Sequence, residues 1–330
     1  MMRCRFSRVL FALTTVAVAL STADLSILSA GDNSADRIRP YAQNPRYWQY
    51  QGKPVMLLGG SKTDHIFLLD DLEAHLDEMQ AVGANYVRCT MSQREGKELK
   101  PHKLLPDGKF DLDQWNEQYW TRFSNCLKWC RERGIIIQIE VWDRFDYTDA
   151  RGMNFWQTSP WRPANNVNYT YEQTGFQETY KDHPYKDKQP FFHTVPGSNH
   201  YRKKYDLIRR YQERFVEKML SYSLPYGNVL YCMNNETSTD PRWGQYWIEF
   251  IQAKAAEKGV TVWTTDMFDD AFDAEKAKHT PVIFSDPRHY TFADISQVNS
   301  RSYGQVHWDR LQWLLRQINR HPRPSKHTKI

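Results

Sequence analysis

From Pro54 to Val298 the chain alternates short apolar or β-branched runs with longer stretches whose apolar residues recur at helical spacing. This alternation restricts the fold more than any other feature. Pro54–Leu58 reads as a first strand, and Leu68–Val82 as a helix with Leu72, Leu76, Met79 and Val82 on one face, stopped by Gly83. Asn85–Thr90 is a second strand. Asp111 opens the next helix with acidic residues in its first turn; it runs to Arg133, Gly134 ends it, and Ile135–Val141 follows as a third strand. That strand is nearly continuously apolar, as suits one covered on both faces. The series continues with helix Tyr205–Tyr222, strand Val229–Met233, helix Trp247–Lys258, strand Val260–Asp266, strand Phe292–Val298 and helix Trp308–Arg320. Arg323–Ile330 begins a seventh strand. Repeated βα units predict the α/β class and a parallel sheet, here a TIM (β/α)8 barrel. About seven strands are present where eight are needed, so the barrel is expected to be incomplete at its C-terminus, through truncation of the chain.

Two stretches depart from the alternation. Residues 142–201 are rich in Trp, Tyr, Asn and Pro without periodicity, and read as a long loop after strand three. In a barrel, loops that follow strands build the active face. At the other end, Arg3, Arg5 and Arg8 precede an apolar run from Val9 to Leu20, with small-residue cleavage points after Ala23 or Ala30. Residues 1–30 are therefore expected to be a signal peptide, 31–40 a linker and 41–330 the barrel domain. The apolar run falls short of the ~20 residues of a bilayer span, so the mature protein is expected to be secreted or periplasmic without a membrane span.

Composition narrows the functions. The chain's 12 Trp, 19 Tyr and 16 Phe exceed what a core needs, and aromatic surfaces in a cleft are one way to bind sugars. The formal charge of +5 falls by two to +3 when residues 1–30 leave, and no basic tract points to nucleic acid. Cys89, Cys126, Cys130 and Cys232 are expected to be buried rather than bridged. No His or Cys spacing marks a metal site, and neither a phosphate-binding glycine loop nor a Gly-x-Ser-x-Gly elbow occurs, so no cofactor is expected.

The succession Asn44-Pro-Arg-Tyr-Trp48, Gly52-Lys-Pro-Val-Met-Leu-Leu-Gly-Gly60, Asn85-Tyr-Val-Arg88 and Asn235-Glu236 after the fourth apolar strand resembles the cellulase-like clan A glycoside hydrolases, nearest their exported apiosidase-like branch. The resemblance runs from about Ala42 to the C-terminus. It implies that Glu236 is a catalytic acid/base, that Asn235 binds a sugar hydroxyl and that Arg88 orients the site. It also implies a second Glu on strand seven, but the segment there reads His327-Thr-Lys-Ile330 and no acidic residue follows Asp309.

Glycoside hydrolysis requires two carboxyl groups, one to protonate the leaving oxygen and one to act at the anomeric carbon. Glu140 and Asp143 after strand three and Asp266 after strand five are candidates for the second, and each also reads as a structural partner in the barrel mouth. Trp142, Trp156, Trp161 and Trp243 read either as sugar-stacking platforms or as aromatics that pack loops. His65, after strand one, is a candidate substrate contact. Two functions follow: an exported glycosidase acting on an oligosaccharide or polysaccharide, or a noncatalytic carbohydrate-binding or scaffold protein on the same barrel.

Overall fold

The computed structural model describes residues 36–44, 47–92, 99–182, 189–237, 239–269, 280–294, 296 and 303–320. The chain divides into two units, residues 1–31 and 32–330. The expected signal peptide and the expected seventh strand, Arg323–Ile330, lie outside the described residues.

The second unit opens with an antiparallel sheet of β1 (Arg39–Pro40), β2 (Trp48–Tyr50) and β3 (Lys53–Val55). Between β2 and β3, Gln51 and Gly52 both take positive φ, +48° and +75°, the geometry of a two-residue hairpin whose turn follows the twist of its strands. The end of the expected linker is thus paired. The expected first barrel strand, Pro54–Leu58, is likewise divided: its start belongs to this hairpin. Only Gly59 reaches the parallel sheet, through a bridge to Tyr86. The Asn85 side chain stands in for the missing ladder, accepting from Leu58 N at 2.8 Å and donating to Met56 O at 3.0 Å.

The main sheet consists of β4 (Tyr86–Thr90), β7 (Ile136–Asp143), β8 (Val229–Asn235) and β9 (Thr264–Thr265), all parallel and adjacent in chain order. Order without a reversal is the winding of a barrel wall; a doubly wound sheet reverses at a switch point. Every residue of β7 and β8 is buried, as their apolar runs foretold. Among the described residues the barrel is not closed.

Between β4 and β7 lies a hairpin of β5 (His102–Leu104) and β6 (Phe110–Trp115). Here the sequence expectation is corrected: Asp111 does not open a helix. Leu112 is buried while its neighbours Asp111 and Asp113 are not, the alternation of a half-buried strand. The helix is Glu117–Glu132, capped by Asn116, whose side chain accepts from Gln118 N at 3.1 Å. Further helices are Leu72–Ala81, Asp206–Ser223, Pro241–Glu257 and Gly304–Arg320. A short helix, Thr280–Ser285, was not foreseen. The expected fifth strand shrinks to β9. Of the expected sixth, Phe292–Val298, the described residues 292–294 form no strand; Thr291 N donates to Thr264 O at 2.8 Å and Asp294 N to Thr265 Oγ1 at 3.3 Å.

Among the described residues, the long segment after β7 holds short helical turns, as expected of a loop, but it is packed from within. Trp156, Trp161, Tyr169, Phe176, Tyr180, Phe191 and Phe192 are buried, and Trp142 meets Phe191, Phe215, Trp243 and Trp247 with ring centroids 5.1–6.0 Å apart. Cys89, Cys126, Cys130 and Cys232 are buried and unbridged.

Candidate active site

A parallel sheet brings the carboxyl ends of its strands to one edge, and polar residues there face each other across the register. Thr90 lies opposite Glu140, and Asp143 opposite Asn235. Glu140 is fully buried, and an ionised carboxylate in such a place demands a partner. Arg88 supplies it from β4: Nε and Nη2 both donate to the carboxylate, the latter at 2.9 Å to Oε2, and Thr90 Oγ1 donates to the same oxygen at 2.5 Å. Burial pushes the Glu140 carboxyl up, against Arg88 and Thr90. Burial also opposes the Arg88 charge, but the Glu140 carboxylate outweighs it and holds the guanidinium protonated.

The same Arg88 Nη2 donates to Asn235 Oδ1 at 2.9 Å, while Asn235 Nδ2 donates to Asp143 Oδ1 at 3.3 Å. The amide at the end of β8 is therefore oriented from both sides. The next residue, Glu236, turns out of the strand with φ +48°, a left-handed conformation that is uncommon for a residue with a side chain. Its turn is anchored by Thr237, whose N donates to Met267 O at 3.2 Å and whose Oγ1 donates to Asn235 O at 3.0 Å. Burial raises the Glu236 carboxyl above the ordinary value; Arg144 and Arg88 pull it down, and Asp269 and Asp143 push it further up.

Arg144 follows β7 in a 3-10 turn capped by Asp143, which accepts from Phe145 N at 3.1 Å. Its Nη2 donates to Glu236 Oε2 at 3.2 Å and its Nη1 to Asp269 Oδ2, so two carboxylates from different strand ends share one guanidinium. Asp64 approaches from the other side, 3.9 Å from Arg88 Nη1.

Of the residues expected from sequence, Arg88, Glu140, Asp143, Asn235 and Glu236 meet here. The others are held in structural contacts. Asp266 is fully buried and spends its oxygens on Asn234 Nδ2 at 2.8 and 3.0 Å, Asn234 N at 3.1 Å and Met267 N at 2.8 Å, so it supports the site from below. Burial nonetheless pushes its carboxyl up to about 7. Trp243 is buried and donates to Asn234 Oδ1 at 3.0 Å. Trp142, Trp156 and Trp161 are buried too, so the four rings are placed in the interior, as the packing reading of them expects. His65 is buried at an antiparallel bridge to Cys89, with Thr63 Oγ1 3.3 Å from its Nε2.

Sequence reasoning missed Arg144, Asp269 and Asp64. A cation just past a strand end was the available signal for Arg144. Asp269 lies four residues beyond a two-residue strand, too far for strand-end logic. Among the described residues no group of three or more His, Cys, Asp or Glu could hold a metal ion, and no helix is long and apolar enough to cross a membrane. A cleft of about 550 Å³ lined by Asp70, Asp71, Glu73, Asp77, Arg122 and Trp129 contains none of these site residues.

A family model described as "Domain of unknown function (DUF6298)" matches residues 92–327, which include Glu140, Asp143, Arg144, Asn235, Glu236 and Asp269. No curated protein matches the sequence. Among solved structures, the chain is similar to a glycoside hydrolase family 5 mannosidase from Rhizomucor miehei, at 12% identity over 88% of this chain and 71% of that one, with a TM-score of 0.51. It is similar also to an endo-1,4-beta-mannanase from Rhizomucor miehei, at 10% identity over 83% and 77%, with a TM-score of 0.51. A mutant of the mannosidase in complex with mannosyl-fructose matches at 11% identity over 73% of this chain, with a TM-score of 0.45; this chain spans 57% of that protein's length. At such identities the likeness shows the fold: a parallel α/β sheet of the kind in glycoside hydrolase family 5 TIM barrels.

Proposed function

The chain belongs to the DUF6298 family, and from that premise and the strand-end network we propose that it is an exported glycoside hydrolase acting on an oligosaccharide or polysaccharide, with Glu236 as its general acid/base. The observation that carries the reading is the setting of Glu236. It is the first residue past a fully buried parallel strand, held in a left-handed turn, with a carboxyl raised by burial and an oriented amide beside it. A carboxyl so raised can hold a proton for the leaving glycosidic oxygen and then, as the carboxylate, accept one from water. Asn235, fixed by Arg88 and Asp143, presents an amide suited to a sugar hydroxyl. Fold alone does not assign an activity; the supporting weight lies in these residues. The similar structures are a mannosidase and a mannanase by name, which makes β-mannosides sensible first probes.

The test is hydrolysis of a glycan and aryl β-glycoside panel by the protein and by Glu236→Gln. The expected loss is about 10²–10⁴-fold, the usual share of a general acid; undiminished turnover by the variant removes Glu236 from the mechanism. Export rests on the basic, apolar and small-residue succession of residues 1–30, and N-terminal sequencing of the mature protein should find it starting after Ala23 or Ala30.

One observation favours a noncatalytic carbohydrate-binding role: the ion pair with Arg144 favours the ionised form of Glu236, which cannot donate a proton. Glycan affinity by calorimetry without turnover would support that role.

A further inference from the structure

Two carboxylate side chains sit on the two terminal nitrogens of one guanidinium. Arg144 Nη2 binds Glu236 Oε2 at 3.2 Å and Arg144 Nη1 binds Asp269 Oδ2. The guanidinium is 6% exposed, whereas the carboxylates are 26% and 30% exposed, so the arginine lies beneath and both acids reach solvent above it. From this geometry we infer that Asp269 is the second carboxylate of the reaction, the nucleophile that acts at the anomeric carbon opposite the proton donor Glu236. The inference rests on the glycosidase reading of Glu236.

Three lines carry it. The backbone fixes the pair: Thr237 N, one residue past Glu236, donates at 3.2 Å to Met267 O, two residues before Asp269, which ties together the segments leaving β8 and β9. Among the described residues, three other acids at these strand ends are occupied below the surface. Glu140 is bound by Arg88 and Thr90, Asp143 by Asn235 and Phe145 N, and Asp266 by Asn234 and Met267 N, and all three are buried. Asp64 is half-buried and pairs with Arg88, whose other partners are Glu140 and Asn235, so it is one residue removed from Glu236. Finally, oxygens bound to neighbouring nitrogens of one guanidinium are close together. That suits the retaining arrangement, with carboxyl groups about 5–5.5 Å apart, better than the inverting one, which leaves room for a water between them.

The steps balance as follows. An Asp269 oxygen forms a bond to the anomeric carbon as the glycosidic C–O bond breaks, and the Glu236 proton passes to the leaving oxygen. Water then adds to the anomeric carbon and gives a proton to the Glu236 carboxylate, while the bond between the anomeric carbon and the Asp269 oxygen breaks and its electron pair returns to the Asp269 carboxylate. Arg144, below both acids, positions them and offsets their mutual repulsion.

The experiment uses the full chain and dinitrophenyl β-glycosides of mannose, glucose, galactose and xylose. Asp269→Asn and Asp269→Ala should lower turnover by at least on the order of 10³-fold. Added azide should restore Asp269→Ala and yield the α-glycosyl azide, whereas Glu236→Ala with azide should yield the β-anomer. A glycoside whose second hydroxyl is replaced by fluorine should label the native protein, and peptide mapping should place the label on Asp269, a readout independent of how the variants fold. Full activity of Asp269→Asn, or a label on Asp64 or any other residue, overturns the assignment while leaving Glu236 intact. Failure of the native protein to turn over or be labelled by any of the four sugars overturns the glycosidase reading itself.

Discussion

Gly244→Ala should destabilise the protein, although alanine is the better helix former by ~1 kcal/mol. Gly244 lies in the first turns of the Pro241–Glu257 helix, where a Cβ would overlap Asp266 Oδ2 and stand 3.2 Å from Asp266 Cγ and 3.7 Å from Asn234 Nδ2. The far end of a flexible side chain could yield, but Asp266 is fully buried and bound by Asn234 Nδ2, Asn234 N and Met267 N. Turning the carboxyl away strands two of these buried donors, at about 1–3 kcal/mol each. Keeping it in place forces the helix outward, an overpacking strain of about 1–3 kcal/mol. The cheaper route, set against the propensity gain of ~1 kcal/mol, leaves an expected net loss of up to about 2 kcal/mol. Urea unfolding should show it as a lower midpoint at unchanged slope. In an Asp266→Ala background the same substitution should become favourable by ~1 kcal/mol, because the overlap is gone. A Gly244→Ala protein as stable as the parent, or an identical effect in both backgrounds, would refute the reasoning.

The buried Asp266 also sets a pH dependence. Its folded pKa of about 7 exceeds the unfolded value near 4, so the folded state binds the extra proton; the stability it contributes is full below about pH 4 and is lost as the pH rises through 7. The stability gap between the parent and Asp266→Asn should therefore narrow over that range, and a gap that widens contradicts the sign. Arg88→Met should leave Glu140 buried without its cation and cost about 3–5 kcal/mol, much of it recovered in Arg88→Met/Glu140→Gln; a double-mutant cycle by thermal unfolding measures the coupling. Trp243→Phe removes a buried donor to Asn234 and should cost about 1–3 kcal/mol of stability with KM unchanged, whereas a tenfold rise in KM at unchanged stability would return this ring to the substrate site.

The sequence by itself determined the local choices. Apolar runs such as Ile135–Val141 and Val229–Met233 read as covered strands and most of the periodic stretches between them as helices, so the parallel order β4, β7, β8, β9 was legible from pattern. Asn235-Glu236 was legible too, since a polar pair directly after such a run must emerge at the sheet edge. Hairpins misled the reading where a local signal had two meanings: Asp111 and Asp113 are helix-opening acids in sequence but the exposed face of β6 in space. Only the tertiary structure decided which side chains are spent on packing and which face solvent. Burial depends on what arrives from elsewhere in the chain: Trp142 is covered by Phe191, Phe215 and Trp247, and Asp266 by Asn234 and the helix that carries Gly244. It decided, for the same reason, that Arg144 stands between Glu236 and Asp269, an arrangement spanning 125 residues of sequence that no local pattern encodes.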